Sequence, residues 1–126
     1  MIRLDTLTLP AGLVWIDEFS AHPVAQTVRR TLDGGIVTYY TGTQGGRPIT
    51  LESEPDAGWI TRAQADALAL MAQSPGAVYT LTLRGQTFQV VFRHHEPPAF
   101  DARPLVNRPD PQPSDFYLCT LKLMTI

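Results

Sequence analysis

Apolar and polar residues alternate with a period of two over much of the chain. Tyr79, Leu81 and Leu83 alternate with Val78, Thr80, Thr82 and Arg84, and Phe88, Val90 and Phe92 repeat the pattern after Arg84-Gly85-Gln86. Successive side chains of a strand face opposite sides of a sheet, so this spacing predicts a hairpin with one buried face. The stretch from Phe116 to Ile126 has the same β-favouring character but carries apolar side chains on both faces and runs to the final residue. Chain ends fray unless tied down. An almost uncharged strand there is expected to be clamped between other strands or against a partner subunit.

Glycine and proline divide the rest into short β-like pieces. An opening segment, Ile2–Leu9, is followed by a turn at Pro10-Ala11-Gly12, and the apolar run Leu13-Val14-Trp15-Ile16 ends at Asp17-Glu18. His22-Pro23 leads in extended form to the next strand. Val24 to Leu32 and Ile36 to Thr41 flank Asp33-Gly34-Gly35, where the backbone can adopt positive φ and reverse as a hairpin. A second hairpin is predicted between Ile36–Thr41 and Pro48–Glu52 through Gly42-Thr43-Gln44-Gly45-Gly46. Pro48 cannot donate to a ladder and should begin its strand or lie on an edge.

One helix is predicted. Thr61-Arg62-Ala63-Gln64 has capping-box spacing, a hydroxyl at the cap and an amide at the third helical position, and the helix should stop before Ser74-Pro75-Gly76. Ala63, Ala67 and Leu70, with Leu68 and Met71, supply its apolar stripe. From Pro97 to Pro113 the chain holds six of its eleven prolines, a density that favours an extended, semi-rigid connection. These elements predict a single β-rich domain, 1–126, of the α+β, mainly β class. The expected architecture is a sandwich or split β-barrel with one short helix packed on it, the Pro-rich segment 97–113 preceding the last strand.

With 126 residues the chain can bury roughly two-thirds of its unfolded surface in one core. Ten basic residues against twelve acidic ones supply no field that would gather phosphates or anionic lipid, which argues against nucleic acid and membrane as partners. Cys119 is the only cysteine, so no intrachain disulfide can form and a reducing compartment is expected. Met1 to Leu7 lacks the apolar block of a secretory signal, and no apolar run reaches membrane-spanning length. Synthesis and folding in a cytoplasm follow.

Candidate chemistry is sparse. His94-His95-Glu96 is the sole cluster of metal-ligand types, but adjacent histidines on a strand point to opposite faces. His22, beside Pro23, reads as a loop residue. Carboxylates at Asp17-Glu18, Glu52 with Glu54, and Asp101 with Asp110 and Asp115 fall mostly at turns, where their oxygens bond nearby backbone. A nucleophile turn and a Walker-type phosphate loop are both missing, and Gly42–Gly46 reads as a flexible tip. Cys119 sits in an apolar strand, which raises a thiol's pKa and quenches its reactivity. Nine arginines against the single Lys122 lean toward contact surfaces, although a GC-rich genome enriches arginine equally well. Trp15 and Trp59 suit core packing or interface anchors.

The strings Trp15-Ile16-Asp17-Glu18-Phe19, Arg30-Thr31-Leu32-Asp33-Gly34-Gly35, Arg47-Pro48-Ile49-Thr50-Leu51 and Gly58-Trp59-Ile60-Thr61, closed by Asp115-Phe116-Tyr117-Leu118, carry a resemblance. In layout the chain resembles small tail and baseplate structural proteins of contractile-tailed bacteriophages and prophages, the ripcord component in particular. The resemblance implies a virion structural protein that joins tail tube to baseplate. Its partners would be other tail and baseplate proteins in a symmetric ring, and it would be assembled in the host cytoplasm with no cofactor, metal or catalytic residue.

The contact residues expected from the chain itself are Gly45, Gly46, Arg47 and Pro48 at the glycine-rich tip, Arg103 and Arg108 on the proline segment, and Leu118, Lys122 and Met124 on the outer face of the last strand. Two other classes compete. One is a small metal- or carboxylate-dependent hydrolase using His94, His95, Asp17 or Glu18, and the other is a cytoplasmic adaptor that binds a peptide along a sheet edge.

Overall fold

The structure is a computed structural model and describes residues 2–20 and 22–126. It is α+β and mainly β, with a large curled sheet, a separate two-stranded sheet and one short helix. The opening segment is itself a hairpin. Ile2–Leu4 (β1) turns at Asp5, which holds φ 52, into Leu7–Leu9 (β2). Asp tolerates this left-handed conformation better than most residues, and its carboxylate accepts a 2.8 Å bond from the Thr80 amide.

Tyr79–Leu83 (β8) and Gln86–Phe92 (β9) form the hairpin that their alternation predicts. Arg84 and Gly85 both lie at positive φ in the connecting turn, and Leu81, Leu83, Val90 and Phe92 face the core. The terminal strand, Phe116–Thr125 (β11), is the spine of the large sheet. Pro48–Glu52 (β6) and Ile60–Thr61 (β7) pair with one edge, and β9 and Phe100–Pro104 (β10) pair with the other. The expected clamp is therefore made by strands of the same chain. Burial selects one face of β11, with Tyr117, Cys119, Leu121 and Leu123 inward and Leu118, Lys122 and Met124 on the less buried side.

The full strand order is β2-β1-β8-β9-β11-β6-β3, where β3 is Val14–Trp15. Among the described residues β2 and β3 are the free ends of this path, so no closed barrel forms. The sheet nevertheless curls strongly. Trp15 on β3 meets Phe88 on β9 edge to face, with ring centroids 6.0 Å apart. The helix, Arg62–Ala72 (α1), touches β2 at one end of the path and also β7, β10 and β11. Leu4, Ile49, Leu51, Leu81, Leu121 and Leu123 are fully buried in the space between, and each contributes roughly 1.5–3 kcal/mol by leaving water.

Helix α1 starts with the expected capping box. Thr61 Oγ1 accepts from the Gln64 amide while Gln64 Oε1 accepts from the Thr61 amide. Its inward residues are Ala65 and Leu68, with Met71 and Ala72 partly covered. The stripe expected through Ala63 and Leu70 is rotated, and both of those residues are exposed. A run rich in alanine leaves that angle to the packing partner. Gly12 and Gly58 bring two loops into backbone contact, since a Cβ on Gly58 would lie 2.8 Å from the Gly12 carbonyl oxygen, and Gly58 holds φ +75.

Two expectations are corrected. Ile36–Gly42 (β5) does not pair with β6; its partner is Val24–Arg30 (β4) alone, and the glycine-rich stretch crosses between two sheets. The proline segment is not extended connection throughout, because β10 occupies its middle and pairs with β11 over five residues, with Ala99 buried just before it. Pro104 ends that edge strand, where a missing donor costs nothing. Pro48 does begin β6, as its chemistry requires.

Candidate functional site

The sheet β4–β5 stands off the body of the protein. Pairing runs from Val24 opposite Gly42 to Arg30 opposite Ile36, and every residue from His22 to Gly46 is exposed. Two-stranded hairpins are marginal alone in water, and this one carries Val24, Val28, Ile36, Tyr39 and Tyr40 in the open, with Leu32 fully exposed at its tip. The tip is well built. Thr31 donates from its amide to the Gly35 carbonyl, its hydroxyl donates to the Asp33 carboxylate, and the Gly35 amide reaches the same carboxylate. The Thr31 hydroxyl, followed by the Gly35 amide, holds the Asp33 carboxyl below its ordinary value.

A cleft of about 360 Å³ opens at the root of the hairpin, lined by Glu18, Phe19, His22, Pro23 and Thr43 with Gly45, Gly46, Arg47, Pro48 and Thr125. Four of the expected contact residues, Gly45 to Pro48, thus meet in one place. Arg47 lies over the Trp15 ring at 4.8 Å and donates to the Glu18 carbonyl at 2.9 Å, while Arg84 pairs with the Glu18 carboxylate at 2.7 Å. Trp15 is accordingly a core anchor and not an exposed one.

The other expected contact residues are dispersed. Arg103 and Leu118 line a shallow depression with Glu52, Asp101 and Thr120. Arg108 pairs with Asp115 at 3.5 Å beside Leu105, Val106 and Phe116, where Trp59 leans on Phe116 at 5.7 Å. Lys122 Nζ reaches the Glu96 carbonyl at 3.4 Å, and Met124 lies opposite Pro48 and Val91. These positions do not converge on a single surface.

The carboxylates singled out for chemistry, Asp17 and Glu18, are engaged structurally. Asp17 accepts from the Thr50 amide at 2.9 Å and from its hydroxyl at 2.8 Å, Arg93 donates to that hydroxyl, and Arg93 also pairs with Glu96 at 3.0 Å. Thr50 and Arg93 are both buried, so this network ties the turn after β3 to β6 and to the end of β9. His94 and His95 are exposed, and no group of three or more metal-ligand side chains occurs among the described residues. Burial pushes the Cys119 thiol up, against a smaller opposing effect of the Ser53 hydroxyl. No helix among the described residues is long and apolar enough to cross a membrane.

Sequence reasoning placed the β4–β5 hairpin but missed its separation from the core. The available signal was that neither of its faces is cleanly apolar. Even-numbered positions mix Val24, Val28, Ile36 and Tyr40 with Gln26, Arg30 and Thr38, whereas odd-numbered ones mix Val37 and Tyr39 with Thr27, Arg29 and Thr41. A strand with no core face has no core to join. Searches against family models, curated proteins and solved structures return no match to this chain.

Proposed function

We propose that this chain is a structural virion protein of a bacteriophage tail, joining tail tube and baseplate through subunit packing in a symmetric ring, without turning over a substrate. The observation that carries this reading is the free-standing hairpin, a seven-pair ladder whose apolar side chains are exposed and whose outer edges pair with no other strand among the described residues. Exposed apolar surface of this extent marks interaction sites, and strand edges are templates for another chain. The resemblance of the sequence strings to small baseplate proteins supports the choice of context.

Electron microscopy of purified tail particles labelled with an antibody to this protein tests the reading. Label is expected at the junction of tube and baseplate. Its absence from intact particles, with the protein abundant in the host lysate, overturns the reading and favours an adaptor that takes a peptide along the same edge.

A further inference from the structure

The hairpin's own hydrogen bonds show which of its backbone groups are left free. Thr31 donates to the Gly35 carbonyl at one end of the ladder and Thr43 to the Pro23 carbonyl at the other, both at 2.9 Å. Bonded and non-bonded pairs alternate in an antiparallel ladder. Ala25, Thr27 and Arg29 therefore exchange bonds with Thr41, Tyr39 and Val37, whereas the peptide groups of Gln26, Val28 and Arg30 point away from β5, and those of Ile36, Thr38, Tyr40 and Gly42 point away from β4. The Val24 amide is taken by the His22 carbonyl at 2.8 Å.

Edges left open in monomeric proteins are ordinarily blunted by lysine, proline, shortness or a covering side chain. The large sheet is blunted in these ways. Gln64 Nε2 covers the β2 edge by donating to the Thr8 carbonyl at 2.9 Å, β3 has only two residues, and β10 ends at Pro104. The hairpin is not. Neither β4 nor β5 contains lysine or proline; β5 is rich in the valine, threonine and tyrosine that suit a pleated ladder, and β4 holds two valines and a threonine, its charge confined to Arg29 and Arg30 at the end next to the turn.

We infer that the occupant of these edges is a second copy of the chain, the β4 edge of one protomer pairing antiparallel with the β5 edge of the next. This names the partner for the assembly reading and rests on it. Both edges are seven residues long, and pairing β4 to β5 satisfies both on every copy. A two-fold pairing of β4 with β4, or of β5 with β5, would leave the other edge open. In the head-to-tail arrangement all hairpins point the same way, so the contact is heterologous and closes into a ring when its rotation permits. The separate hairpins become one continuous cylindrical sheet without free edges.

Single cysteines test the assignment in the purified full chain, because Cys119 is buried and contributes no background. Val28→Cys marks the β4 edge; Thr38→Cys and Tyr40→Cys mark the β5 edge at two staggers. After mild oxidation with diamide, a mixture of the β4 variant with either β5 variant is expected to give disulfide-linked dimers, and each variant alone little or none. Gln26→Pro, which removes one outward amide and no bond of the hairpin, should weaken self-association about tenfold or more while the thermal transition of the body is kept.

Cross-linking of each variant only to itself, no cross-linking at the highest attainable concentration, or unchanged association of Gln26→Pro each overturns the pairing. A particle map with a different protein seated on these edges does the same and leaves the virion reading standing. Absence from particles together with heterologous cross-links sinks the virion reading alone.

Discussion

Individual side chains in this protein are set by what surrounds them more than by their own chemistry. Cys119 lies 3% exposed on the inner face of β11, its amide donating to Ser53 Oγ at 3.0 Å and its thiol 3.5 Å from the same oxygen. Burial disfavours the thiolate. Alkylation by iodoacetamide at neutral pH is therefore expected to be slow in the native protein and fast in urea, as mass spectrometry of timed samples would show. The sign for stability follows. With its folded pKa raised, the thiol supports the fold fully below the ordinary thiol range, and that support is lost as pH rises through the folded value, since the unfolded chain ionises first. Equal alkylation rates in both states would contradict the burial. Arg93 makes the related point for charge, because a buried guanidinium is tolerable only with partners, here Thr50 and Glu96.

Among the elements, α1 was the most legible in the sequence because its start depends on contacts three residues apart. Thr61→Ala removes the hydroxyl that receives the Gln64 amide and should cost about 1 kcal/mol. Urea unfolding would register this as a lower midpoint at unchanged slope. A loss below a few tenths of that size would mean that the cap is redundant with packing. The far end is held from outside the helix, where the Tyr79 hydroxyl donates to the Met71 carbonyl at 2.7 Å. That bond spans an intervening loop and had no local signature. The same distinction separates β8–β9, whose turn and alternation were readable, from the β5–β6 hairpin, which was expected from three glycines and does not exist. Glycines permit reversal, but whether the following strand returns to its predecessor or crosses to another sheet is decided by what each strand can bury. β6 has Ile49, Thr50 and Leu51 to bury, and β5 has no comparable face.

At the scale of the whole molecule, the body and the hairpin are energetically separable. The body owns the core, and the hairpin shares none of it. Because the Pro23 carbonyl and Thr43 amide already meet at 2.9 Å, residues 24–42 can be excised and the ends bridged by Gly-Gly. The shortened protein is expected to melt within about 4 °C of the parent by circular dichroism, a shift corresponding to less than about 1 kcal/mol, while losing self-association in sedimentation. Loss of cooperative melting would mean that the hairpin is part of the folding unit after all.

Local pattern alone determined the strand-rich class, the helix with its cap, the turns at Asp33-Gly34-Gly35 and Arg84-Gly85, and the packing of Cys119 as a small apolar residue. Each of these rests on interactions among near neighbours or on the period of two. Only the tertiary structure decided that β11 runs between strands drawn from four separate parts of the chain, that the proline segment contributes β10, and that β4–β5 stands alone. A period of two states that a face will be covered without naming its cover. Strand partners distant in the chain are selected jointly by core volume and by competition among edges, which no short window of residues contains.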